Sequence, residues 1–124
     1  MIMLELTLHF ETAEGTDIKA VASHLEQKLS ALNGVEAAEA EPQVMRFGGL
    51  PEILAIIALV TVTVNSTTAL LKALKGMLQA YRELAAQFPG LHIPTLEVGF
   101  RKVPIDQVTE EDADKLVQNG SHAT

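Results

Sequence analysis

Ile53-Leu54-Ala55-Ile56-Ile57-Ala58-Leu59-Val60-Thr61-Val62-Thr63-Val64-Asn65-Ser66-Thr67-Thr68-Ala69-Leu70-Leu71 carries no formal charge, and the fold turns on how it is read. The residues behind it continue an apolar stripe through Leu74, Met77, Tyr81, Leu84 and Phe88. Counting back from Phe88, apolar or threonine positions recur every three or four residues to Ile53. That period predicts a helix from Leu50 to Gln87. Pro51 suits its first turn, and Glu52 suits the positive end of its dipole. At 1.5 Å per residue such a helix would be roughly 57 Å long. It would therefore protrude from a single domain, bend, or meet a partner. Its weak place is Thr61–Thr68, where β-branching and hydroxyl competition lower helix propensity. A break is expected near Asn65. The alternative is a buried strand over Leu59–Val64.

Upstream, Leu4, Leu6, Leu8 and Phe10 alternate with Glu5, Thr7 and His9, the period of a half-buried strand. Thr16 or Asp17 can cap the next segment, where Ile18, Val21, Leu25, Leu29 and Leu32 form one helical stripe. Asn33-Gly34 ends it. Val35–Glu41 is a second strand with a wet or edge face of Glu36, Glu39 and Glu41, and Pro42 limits its pairing. Val44–Phe47 could extend it. Downstream, Pro89-Gly90 stops the long helix. Leu96, Val98 and Phe100 alternate as a third strand. A turn at Arg101-Lys102 precedes a short fourth strand with Val103 and Ile105. Thr109-Glu110-Glu111-Asp112 resembles a capping box, with Asp in place of Glu or Gln. It opens a helix carrying Ala113, Leu116 and Val117.

The order is β-α-β-α(long)-β-(β)-α: an α+β, two-layer domain with a small sheet packed on two main helices. Residues 1–117 make a single domain, and 118–124 a polar tail.

The chain has 124 residues, a length that fits one self-sufficient core. Its 48% hydrophobic content excludes an intrinsically disordered chain. The net charge of −7 argues against nucleic acid as a partner. No cysteine is present, which excludes disulfides and cysteine-ligated metals and suits a cytoplasmic protein. No signal-like basic segment precedes the first strand.

Chemical motifs are missing. The histidines are scattered, with no HExxH and no helical i, i+4 pair. The acidic clusters lack the calcium-loop pattern. Gly48-Gly49 belongs to no phosphate-binding motif, and no serine sits in a GxSxG elbow. No catalytic, cofactor-binding or metal residue is assigned, no cofactor is implied, and the chain is expected not to be an enzyme. Lys72, Lys75, Gln79, Arg82 and Glu83 read as a solvated helix face.

The apolar surplus points instead to association. A helix that is apolar nearly all round needs cover from another chain or from its own sheet. The expected interaction residues are Ile53, Ile56, Ile57, Val60, Val64, Leu70, Leu74, Met77 and Tyr81. The expected function is a self-associating interaction or adaptor domain, with a protein partner or a homo-oligomer. The alternative is a membrane-associated effector or anchor using 53–71. Thr61, Thr63, Asn65, Ser66, Thr67 and Thr68 weaken a spanning reading.

Several features together resemble the effector-associated constant component family of bacterial NTPase-linked conflict systems. They are the initial strand from Leu4, the capped helix, Phe47-Gly48-Gly49-Leu50-Pro51-Glu52 entering an apolar helix, the closing strand, and Val103-Pro104-Ile105-Asp106 before an acidic helix start. The resemblance covers Leu4 to about Val117. It implies a non-enzymatic adaptor that couples sensor or NTPase modules to effectors, and it brings no catalytic residues.

Overall fold

A computed structural model describes residues 2–13, 15–45 and 53–122. The Gly48–Glu52 helix entry and the whole Phe47–Glu52 motif therefore lie outside the described residues. In chain order the elements are β1 (Ile2–Thr12), α1 (Ile18–Ser30), β2 (Val35–Met45), β3 (Ile53–Val64), α2 (Thr67–Gln87), β4 (Thr95–Val98), β5 (Arg101–Pro104) and α3 (Glu110–His122), with a 3-10 turn at Ile105–Gln107.

The fold is α+β. One antiparallel five-stranded sheet, ordered β2-β3-β1-β4-β5, packs on a layer of helices. In that layer α1 touches α2 and α2 touches α3. The first six elements form two interlocked β-α-β units, each with a strand of the other inserted between its own two. This is the ferredoxin-like arrangement.

The single long helix over Leu50–Gln87 is corrected. Ile53–Val64 is a strand, and the helix begins at Thr67. The chain changes direction at Asn65-Ser66, and the Ser66 hydroxyl caps α2 by accepting from the Ala69 N–H at 3.2 Å. β-Branched residues from Val60 to Val64 fit the pleat better than a helix surface. The strand is also longer than the Leu59–Val64 alternative. It pairs with β1 in continuous register from Ile2↔Val64 to Thr12↔Leu54. A helical membrane span over 53–71 is excluded by the same strand. Among the described residues no helix is long and apolar enough to cross a bilayer.

Other boundaries also move. β2 continues through Pro42 to Met45, because an edge strand tolerates a missing N–H on its outer side. The hairpin turn lies at Gly99-Phe100 rather than Arg101-Lys102. Gly99 takes φ +62° and Phe100 a negative φ, the pattern of a two-residue II′ turn with glycine first. Phe100 is thus no strand residue but a fully exposed side chain at a hairpin tip. The helix α3 runs to His122, into the expected tail.

The core lies between sheet and helices. Leu4, Leu6, Leu8 and Phe10 of β1 and Ile56, Ala58, Val60, Val62 and Val64 of β3 meet Val21, Leu25 and Leu29 of α1 and Leu70, Leu74, Met77 and Leu84 of α2. Each fully buried Leu, Ile or Phe contributes about 1.5–3 kcal/mol by leaving water. Two loops lock together beside it. The Ala13 N–H donates to the Gly90 carbonyl at 2.8 Å, and a Cβ at Gly90 would stand 2.6 Å from Thr16 Oγ1, so glycine alone fits.

The capping box forms as the sequence suggests. The Asp112 N–H donates to Thr109 Oγ1, and the Thr109 N–H donates to Asp112 Oδ2, both at 3.2 Å. Arg101 Nη2 donates to Asp112 Oδ1 at 2.7 Å, tying the β4–β5 hairpin to α3. The Thr67 hydroxyl donates to Asp114, tying α2 to the same helix. The Thr109 backbone N–H, aided by its hydroxyl and by Arg101, holds the buried Asp112 carboxyl below its ordinary pKa against the opposing effect of burial.

Two outcomes follow. Ile56→Ala should cost about 2–5 kcal/mol in urea denaturation, whereas the neighbouring Ile57→Ala, half-exposed on the other face, should cost about 1 kcal/mol. Asp112 should stabilise the fold above the ordinary carboxylate pKa, with that contribution lost as pH falls through its lowered value. Asp112→Asn should therefore lower stability at neutral pH and flatten its fall in acid, as read from denaturation midpoints across the acid range.

Candidate functional site on the open face of the sheet

Every second residue of a strand points away from the helices. On β3 these are Ala55, Ile57, Leu59, Thr61 and Thr63, and no described element lies over them. Ala55, Ile57 and Leu59 make an apolar strip, with Leu59 38% exposed.

The register fixes what flanks it. Leu59 lies between Glu39 of β2 and Thr7 of β1, Ile57 between Glu41 and His9, and Ala55 between Gln43 and Glu11. One step further along, Thr61 lies between Ala37 and Glu5. Among the described residues, Lys102 on β5 is the lone lysine or arginine on this face, opposite Glu97 of β4. His9 Nε2 lies 2.8 Å from Glu97 Oε1 across β1 and β4. The Thr63 hydroxyl donates to Glu36 at 3.2 Å. The other described lysines and arginines lie on the helices or at the β4–β5 hairpin.

One end of the strip opens into a concavity of about 480 Å³, where Ala55 and Ile57 meet His9, His92, Ile93 and Thr95. Two imidazoles share it. Among the described residues no three His, Asp or Glu side chains come together as a metal site.

The expected interaction residues separate in the structure. Ile56, Val60, Val64, Leu70, Leu74 and Met77 are buried in the subunit's own core, which accounts for their apolar character without a partner. Tyr81 is half-buried, and its hydroxyl donates to the Leu91 carbonyl at 3.2 Å. Ile57 alone of the set is placed on the open face; the side chain of Ile53 lies outside the described residues. The helical period grouped residues that a strand sends to opposite faces. Ala55 and Leu59 were missed for that reason, since the run from Ile53 to Val60 is apolar throughout and shows no alternation; Glu39 and Glu41 read as a wet or edge face, but only the register sets them beside β3.

The sheet's edges are less inviting than its face. The Ala40 N–H points away from β3 and donates to Glu26 Oε2 of α1 at 3.4 Å. Pro42, two residues on and so on the same outward side, has no N–H. These are standard ways to blunt an edge strand. The opposite edge, β5, has 4 residues and ends at Pro104.

Compared with family models, curated proteins and solved structures, the chain matches none.

Restoring a pairing-competent edge provides a check. Glu26→Ala combined with Pro42→Val should produce concentration-dependent self-association in light scattering, while either Glu110→Ala or Glu111→Ala should leave the elution volume unchanged.

Proposed function

We propose that this chain is a non-enzymatic protein-interaction module of the adaptor kind, and that its working surface is the uncovered face of the sheet. The observation that carries the reading is the Ala55–Ile57–Leu59 strip, which lies on a central strand yet is covered by no described element. Apolar side chains concentrated on a rigid, solvent-facing sheet mark interaction sites more than isolated exposed residues do. The adaptor role is also what the resemblance to effector-associated constant components implies.

The partner is better sought in another chain than in a second copy. Two copies meeting face to face would bring Glu39 and Glu41 toward like charges in a partly dry interface, which is unfavourable. Nucleic acid would meet the same repulsion. A cytoplasmic setting in a bacterial conflict or signalling system belongs to this proposal.

Site-specific photo-crosslinking in cells tests it. A benzoylphenylalanine placed at Leu59 or Ile57 should give a discrete protein adduct, and one placed at Lys72 or Arg82 on α2 should not. Adducts from the α2 positions alone, or equally from all four, would overturn the reading.

A further inference from the structure

We infer that the segment this face accepts is a cationic amphipathic helix laid along β3; the inference rests on the interaction reading above and names the partner's chemistry.

The first support is the lopsided charge. Of the described residues, Glu5, Glu11, Glu39 and Glu41 lie along the strip and its continuation, and the single opposing lysine is Lys102 of β5, which lines the concavity at one end of the strip. A basic segment gains attraction along both rims, and such complementarity steers encounter and fixes orientation.

The second support is dimensional. The strands flanking β3 carry their glutamates two strand spacings apart, about 9.5 Å. An α-helix with its side chains is about 10–12 Å across. Lying on β3, it would press one stripe onto Ala55, Ile57 and Leu59 and hold bases over β2 on one side and β1 on the other. From Ala55 to Leu59 the strip runs about 14 Å, which takes up roughly nine helical residues. On the core side, α2 lays its Leu70-Leu74-Met77 stripe beneath the sheet in a comparable way.

The third support is elimination of the other common mode. Adding a strand at β2 meets Glu26 at the Ala40 N–H and the missing donor of Pro42. A helix on the face needs no free backbone group. The concavity beyond Ile57, bounded by His9, His92 and Ile93, has room for a large anchoring side chain at one end of that helix.

The probe is a fluorescent amphipathic Lys/Leu peptide of about 18 residues, titrated with the full chain at about 0.15 M salt, where the screening length is about 8 Å. Glu39→Lys with Glu41→Lys should weaken binding about tenfold or more, since both charges face the helix. Glu110→Lys with Glu111→Lys makes the same change in net charge on α3 and should shift Kd less than about twofold. Leu59→Glu and Ile57→Asp add negative charge to the face yet should weaken the cationic peptide, because they break the apolar contact. Circular dichroism of all variants confirms that each is folded, and Leu59→Glu, at the more exposed position, serves should Ile57→Asp unfold.

Equal loss in the two lysine pairs would reduce the attraction to bulk charge and overturn the inference. So would equal affinity for a scrambled peptide of the same composition. Ile57-dependent binding of a Glu/Leu peptide, or of phosphatidylcholine vesicles, would overturn the cationic helix while keeping the face as a docking surface. Absence of crosslinks from Leu59 and Ile57 would instead remove the docking surface itself.

Discussion

The pairing of β3 between β1 and β2 is the constraint on which the remaining structure depends. Its register with β1 is unbroken from Leu54 to Val64, so the pleat divides β3 into two sets of side chains with no freedom to exchange them. One set, from Ile56 to Val64, completes the core above α1 and α2. The other is left facing outward. A slip of a single residue would put Ile57 and Leu59 against the helices and send Val60 to water. The buried leucines and phenylalanine of β1 hold the register against that slip.

How much of this was legible in sequence depended on how cleanly each segment contrasted its two faces. In β1, Leu4, Leu6, Leu8 and Phe10 alternate with polar partners, and the strand is read without ambiguity. The α1 stripe was equally plain, whereas its cap was open between Thr16 and Asp17; it is Asp17 that accepts from the Ala20 N–H at 3.2 Å. So was the Thr109–Asp112 box, because its reciprocal bonds need only local spacing. The β3 segment failed for a physical reason. Ala55, Ile57 and Leu59 are apolar although they face outward, so the period of two vanished into a continuous run. A helical stripe could then be drawn through it by chance. The β-branched density from Val60 to Val64 was the stronger cue. Phe100 misled in the opposite sense, extending an alternation that Gly99 had already ended.

The residues that hid the strand are the ones that make the candidate site. A solvent-facing central strand with polar residues would have been easy to recognise and would offer little to bind. The apolar strip between rows of glutamate costs the sequence its clear pattern and gives the surface a shape and a charge. The rim of the site could not be read from sequence at all. Glu39 and Glu5 are far apart in the chain, and only the antiparallel register sets them on either side of β3. The histidines His9 and His92 likewise meet through the fold and not through any spacing.

The stoppered margin of β2 has one further implication. Strands that join at an open margin leave a new margin behind them, and so growth by that route has no natural end. Here Glu26 and Pro42 close the route. The backbone ladder is thereby finite on that side: it ends at β2 like a hemmed cloth and offers no row for a further strand.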